Sequence, residues 1–159
     1  MILVLLGTCR QEFQRLARAV EDYSRLSGED IHLQLGFTSY VPAGVTCYDF
    51  LFRERLFQMI EAAELVICHG GFATLCDCLE RHKKIVAVPR KKELGESLDS
   101  GFGQEEIVRQ LERTGRLVGV YDIRTLPEAI EEARRLPDQP MGSSRIPELI
   151  EKYVSRLLD

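Results

Sequence analysis

No stretch of this 159-residue chain stays apolar for long. The longest runs, Met1 to Leu6 and Leu65 to Cys68, are stopped by Gly7-Thr8 and by His69. Both fall far short of the roughly 20 residues a membrane helix needs, and the first is too short for a secretion signal. Positive charge is not in excess either: the net charge is −4, which argues against bulk attraction to nucleic acid or anionic lipid. Five cysteines make an odd number with no secretory signal, so reduced thiols in a cytosolic protein are expected instead of a disulfide framework. Repeats and low-complexity tracts are absent. At 45% hydrophobic and 29% charged residues the composition excludes a disordered tail or a fibre. The length suits one domain with a short appendage.

What is present is an alternation of short apolar runs with amphipathic stretches. Ile2 to Leu6 reads as a strand buried on both faces. Phe13, Leu16, Ala17, Val20 and Tyr23 recur at helical spacing up to a stop at Gly28. Further strands are expected at Ile31 to Leu35, Val45 to Phe50, Leu65 to Cys68, Ile85 to Val88 and Leu117 to Val120. Helices are expected around Leu56 to Ala63, from Gly71 to about Arg81, around Ile107 to Leu111, and over Pro127 to Leu136 with Thr125 as cap. This pattern predicts an α/β fold, a Rossmann-like doubly wound parallel sheet spanning 1–136. A Pro/Gly/Ser linker at 137–144 then leads to an amphipathic helix at 145–159, which either caps the core or docks a partner.

In such sheets the ligand sits beyond the strands' C-terminal ends, so the residues following each strand matter most. Gly7-Thr8 and Gly70-Gly71 each follow a buried strand, and bare glycines at a helix N-terminus let a phosphate approach the backbone. With Arg90, Lys91 and Lys92 after another strand, this edge is predicted to hold a diphosphate. Neither turn has the Gly-x-Gly-x-x-Gly or Walker pattern, which disfavours dinucleotide and P-loop chemistry. Cys9 and Arg15 have the spacing of a phosphatase loop, but Gln11-Glu12-Phe13 puts a carboxylate and a bulky ring where a phosphate cradle needs inward N–H groups. Cys68, Cys76, Cys78 and His82 match no usual zinc spacing and read as structural. His69 is expected to make a polar ligand contact, and Asp77, about two helical turns on, to accept from sugar hydroxyls.

The Gly7-Thr8 opening with Phe13 and Arg15-Leu16, the block Ala63 to Gly71, Thr74, Asp77 and the run Val86 to Arg90 resemble a known family. It is the C-terminal, nucleotide-sugar-binding half of family 28 glycosyltransferases of GT-B fold. The likeness spans roughly residues 1 to 120 and is nearest to stand-alone halves. These are the catalytic subunit of the eukaryotic dolichol-linked N-acetylglucosaminyltransferase and its bacterial exopolysaccharide counterparts of the PssE type, with Gln34 to Thr38 favouring the bacterial branch. The resemblance implies a donor site of Gly7, Thr8, Phe52, His69, Gly70, Gly71, Thr74, Asp77, Arg90 and Gln104. There Gly70 and Gly71 hold the diphosphate, Asp77 the ribose and Phe52 the uracil. The family's sugar-reading His-Gln pair is here Gly103-Gln104, which leaves open a second reading: a catalytically silent nucleotide-sugar-binding or regulatory subunit. The first reading implies inverting transfer from a UDP-sugar to a polyprenyl-diphosphate-linked saccharide, with no metal and no cofactor. It further implies a membrane-anchored partner that binds the lipid-linked acceptor, supplies the general base and brings this chain to the inner face of the membrane.

Overall fold

The structure, a computed structural model, describes residues 1–98 and 103–138. Six parallel strands form its sheet: β1 (Ile2–Leu5), β2 (Ile31–Gln34), β3 (Thr46–Tyr48), β4 (Leu65–His69), β5 (Lys84–Val88) and β6 (Val118–Gly119), in the order β3-β2-β1-β4-β5-β6. Helices α1 (Gln14–Ser27), α2 (Arg53–Ala62), α3 (Phe72–Glu80), α4 (Gln104–Arg113) and α5 (Leu126–Arg135) connect or follow them. The strand order reverses at β1, with β2 on one side and β4 on the other, so the crevice of a doubly wound sheet opens beyond the ends of β1 and β4.

The two-residue period of the strands sorts the core into two layers. Ile2, Val4, Leu6, Leu65 and Ile67 face a cluster filled by Leu16, Ala17 and Val20 of α1 and by Ala129, Ile130 and Ala133 of α5. Leu3, Leu5, Val66 and Cys68 face the other layer, with Met59 and Ile60 of α2, Leu75 and Cys78 of α3 and Val108 of α4. β1 and β4 are thus buried on both faces, as their uninterrupted apolar runs require.

Element boundaries differ from the sequence reading in informative ways. β3 covers three residues of the expected Val45 to Phe50; beyond it Asp49 still accepts from Gly36 N–H, and Phe50 stands partly exposed at the crevice. β6 covers two residues of Leu117 to Val120. Thr125 stands at the N-cap position of α5, as expected, but its side chain makes no cap bond: it ends a 3-10 turn (Ile123–Thr125) in which Asp122 accepts from Arg124 N–H, and Thr125 Oγ1 donates to the Asp122 carbonyl. α1 ends as expected on Gly28 in the left-handed region at φ 65°. Most of the linker and all of the expected C-terminal helix, 139–159, lie outside the described residues.

Candidate functional site

The cavity at the crevice has a volume of about 300 Å³. Gly7 and Thr8 from the β1 turn, His69 at the end of β4, and Gly71, Phe72, Ala73 and Thr74 from the start of α3 form one side. Leu5, Phe50, Leu51 and Leu56 supply an apolar lining, and Gln34 adds its amide. Phe50 is steadied by Phe37, whose ring meets it edge-on at 5.1 Å between centroids.

The three glycines do different work. A Cβ on Gly7 would lie 2.6 Å from His69 Cε1, and one on Gly71 would lie 2.8 Å from His69 Cδ2 and closer still to Nε2. The imidazole therefore occupies the space that both missing side chains leave. Gly70 serves packing instead: its Cβ would meet Gln104 Cβ at 2.8 Å and Val108 Cγ2 at 2.9 Å, so its bareness lets α4 close on β4. Gly7 has a second constraint, φ 83°, which favours glycine.

Backbone donors decide where an anion can sit. Gly7 N–H is taken by Gln34 Oε1 at 3.1 Å, and Gln34 Nε2 donates back to the carbonyls of Gly7 and Asp49. α1 starts seven residues after Gly7, and Phe13 N–H donates to Thr38 Oγ1. The first turn is therefore not a glycine turn opening a helix, and its N–H is already spent. α3 is different: Gly71 caps it in extended geometry with no side-chain cap bond, and the first turn faces the cavity. Its unpaired N–H groups and the positive end of the helix dipole form the anion-attracting element of the site.

His69 is half-buried, and its Nδ1 lies 3.4 Å from the Leu5 carbonyl. A proton on Nδ1 satisfies that oxygen and leaves Nε2 as an acceptor on the Gly71 side. Burial first, then the charge of Arg90, pushes the imidazole down to about 4, so in the free protein it is neutral at physiological pH.

Arg90 corrects the sequence reading. It is not an exposed phosphate ligand but a buried tie: its guanidinium donates to Leu6 O at 2.7 Å and to Gln11 O and Glu96 O at 2.8 Å each. It lies over the ring of Phe13, 4.7 Å from the centroid. Arg15, stacked on the same ring, holds Glu96 through two 2.8 Å bonds and also donates to Pro89 O. The arginine expected to contact ligand thus fastens the β1 turn to the segment after β5. With Cys9 Sγ on Gln11 and Arg15 on Glu96, no phosphatase loop forms.

Other expected residues lie outside the cavity wall. Phe52, the expected uracil shelf, is 87% exposed ahead of α2, and Phe50 and Leu51 take the position facing the cavity. Asp77 lies one turn beyond Thr74 on α3, half-buried and not part of the wall. Gln104, Lys91 and Lys92 line a neighbouring cavity of about 580 Å³, where Gln104 Oε1 accepts from Arg90 N–H at 3.0 Å. Gln34, Phe50 and Leu56 were not among the expected site residues. Gln34 offered a signal, as the polar residue preceding Leu35-Gly36 at the end of a strand, and so did Phe50, at the end of the expected third strand; Leu56 offered none. Among the described residues no group of histidine, cysteine and carboxylate side chains is placed to hold a metal ion. Cys68 and Cys78 are wholly buried beside each other, and that proximity together with burial holds the Cys68 thiol well above its ordinary range. No described helix is long and apolar enough to cross a membrane.

The same architecture recurs in solved glycosyltransferases. CalG4, the calicheamicin glycosyltransferase, superposes with a TM-score of 0.63 at 14% identity, over 99% of this chain and 37% of its own. The glycotransferase of kitacinnamycin gives 0.61 at 16%, over 84% of this chain and 34% of its own. MurG of Acinetobacter baumannii gives 0.57 at 16%, over 94% of this chain and 49% of its own. At these identities the likeness is one of fold, and the chain spans about a third to a half of each of them. No curated protein is detectably similar in sequence. The family model of the glycosyltransferase family 28 C-terminal domain matches residues 1–153, nearly the whole chain, and the chain belongs to that family.

Proposed function

We propose that this chain is the donor-binding half of an inverting glycosyltransferase that transfers a hexose from a UDP-sugar to a polyprenyl-diphosphate-linked saccharide. The observation that carries this reading is the cavity beyond β1 and β4, where the uncapped N-terminus of α3 meets a histidine seated between two glycines. The diphosphate lies against Gly71 to Thr74, and the wall of Phe50, Leu51 and Leu56 receives the base. Fixed N–H dipoles in a shielded site stabilise charge on departing UDP without reorganisation, so no metal is required. In the transfer the bond between the anomeric carbon and the β-phosphate oxygen breaks and its electron pair leaves with UDP. The acceptor oxygen bonds to the opposite face of that carbon, and its proton passes to a base. His69 is the one lining side chain that can take up a proton, and in this reading it stands against the diphosphate; the base is therefore assigned to a membrane-anchored, acceptor-binding subunit that completes the cleft. Through this subunit the chain works at the cytoplasmic face of the membrane.

A second reading has an observation in its favour. Gln104, the survivor of the expected sugar-reading pair, has its carbonyl oxygen committed to Arg90 N–H, as suits a subunit that binds the nucleotide sugar without turning it over. Calorimetric titration with UDP, ADP and GDP, with and without magnesium, tests the shared site. Selective, metal-indifferent UDP binding that is lost in Gly71→Ala is the expected result; equal affinity for all three nucleotides overturns the donor assignment. Transfer by the reconstituted complex, lost in the same variant, separates the enzyme from the silent subunit.

A further inference from the structure

We propose that His69 supplies the positive charge for the bound diphosphate, and that it does so by taking up a proton as the nucleotide enters. The inference rests on the donor-site reading above. Its basis is what lines the cavity. Leu5, Gly7, Thr8, Gln34, Phe50, Leu51, Leu56, Gly71, Phe72, Ala73 and Thr74 carry no charge at any accessible pH, and His69 is the one lining side chain that can acquire one. Lys91 and Lys92 line the neighbouring cavity.

The charged groups packed around His69 reinforce this. From β1 and its turn come Leu5, Gly7 and Thr8, none charged, with the Cys9 thiol beyond them. β2 contributes neutral Gln34, and the first turn of α3 contributes its dipole and no charge. From the end of β5 comes Arg90, whose guanidinium is spent on three carbonyls and whose Glu96 neighbour is itself paired with Arg15. In the empty site the ring feels the positive ends of α3 and of Arg90 with no opposing carboxylate, and it stays neutral. A diphosphate seated against α3 brings the missing negative charge to the Nε2 side of the ring. An opposite charge within about 4–6 Å raises a histidine by about one to three pKa units; starting from about 4, the ring in the bound site then titrates at about pH 6, and below that pH Nε2 turns from an acceptor into a charged donor. The Leu5 carbonyl already accepts from Nδ1, so the doubly protonated ring has a partner at each nitrogen.

The chain has three histidines, so the ring can be observed directly. His32 pairs with Tyr48 and Asp30 away from the cavity, and His82 lies at positive φ after α3. In the full chain carrying His32→Gln and His82→Asn, the only imidazole C2–H resonance belongs to His69. The expected result is a titration midpoint below pH 5 in the free protein, rising by roughly two units when UDP saturates the site. Calorimetry near pH 6 in buffers of different ionisation heat should then show the wild-type chain taking up more protons than His69→Gln on binding UDP. Saturation by UDP with an unmoved midpoint overturns this inference alone. Failure of UDP to perturb any resonance of the protein overturns the donor site and this inference with it.

Discussion

Replacing Arg90 with leucine distinguishes a structural tie from a ligand contact. The guanidinium reaches three carbonyls at 2.7, 2.8 and 2.8 Å, on segments that otherwise share no strand: the turn after β1, Gln11 beyond it, and Glu96 after β5. Hydrogen bonds to a charged group contribute about 1.5–3 kcal/mol each, and removing one side of a buried charged network costs about 3–5 kcal/mol once non-additivity is allowed for. The lost stacking on Phe13 adds about 1 kcal/mol, partly offset because leucine needs no desolvation. The expectation is therefore a loss of about 4 kcal/mol. At about 2 kcal/mol per molar of urea, the unfolding midpoint falls by about 2 M. Arg90→Lys should recover little, since an ammonium cannot span three acceptors in the plane of a fork. Urea unfolding of the three proteins, followed by circular dichroism, makes the measurement. An Arg90→Leu midpoint within about 0.5 M of wild type, set against the ~2 M loss expected from the slope, together with a tenfold weaker UDP affinity, refutes the reasoning and returns Arg90 to the ligand.

Gly70→Ala and Gly71→Ala should separate in kind. The first overpacks α4 and costs about 1–3 kcal/mol. The second, at an ordinary φ of −71°, displaces the imidazole, lowering UDP affinity at least tenfold by calorimetry while changing stability by less than about 1 kcal/mol. His82 sits at φ 54°, closing α3 through Lys83 N–H to Cys78 O. His82→Gly should therefore stabilise by about 1 kcal/mol in thermal or urea unfolding. Free His69 lies near 4 against an ordinary 6.5, so between those values the unfolded chain binds the extra proton. Stability is then complete above pH 6.5 and falls by about 3 kcal/mol as the pH drops through 4. Urea midpoints across that range should show the slope in wild type and a flattened one in His69→Gln.

The layered fold was legible because its signals are local. Ile2 to Leu6 and Leu65 to Cys68 can be buried on both faces only in the middle of a parallel sheet, and Gly28 ends α1 where an αL residue is needed. The position of the crevice followed from the same alternation. What sequence could not reveal is how side chains are spent. Arg90, Lys91 and Lys92 are adjacent in sequence, yet all three border a different cavity, and the first also turns its guanidinium inward to bind carbonyls. Gly7 and Gly70 looked like parallel phosphate turns. The amide that occupies Gly7 N–H comes from Gln34, 27 residues away, and the helix that needs Gly70 bare begins at Gln104. Long-range partners of this kind leave no trace in local spacing. Phe52 and Phe50 differ by two positions, and only the actual course of the loop after β3 decides which one faces the cavity.

Among the described residues the sheet is bordered by β3 and β6, strands of three and two residues. Borders this short offer an incoming chain almost no ladder to extend, which guards the fold against stacking edge to edge with its own copies. For the acceptor-binding subunit proposed above, the same brevity disfavours recruitment by strand addition. Among the described residues, the loops at the strand tips expose Phe37, Phe50, Phe52 and Phe72 instead, a surface on which that proposed subunit would be recognised by side chains. Pairing set by side chains instead of by backbone can be retuned one substitution at a time while the sheet beneath stays as it is.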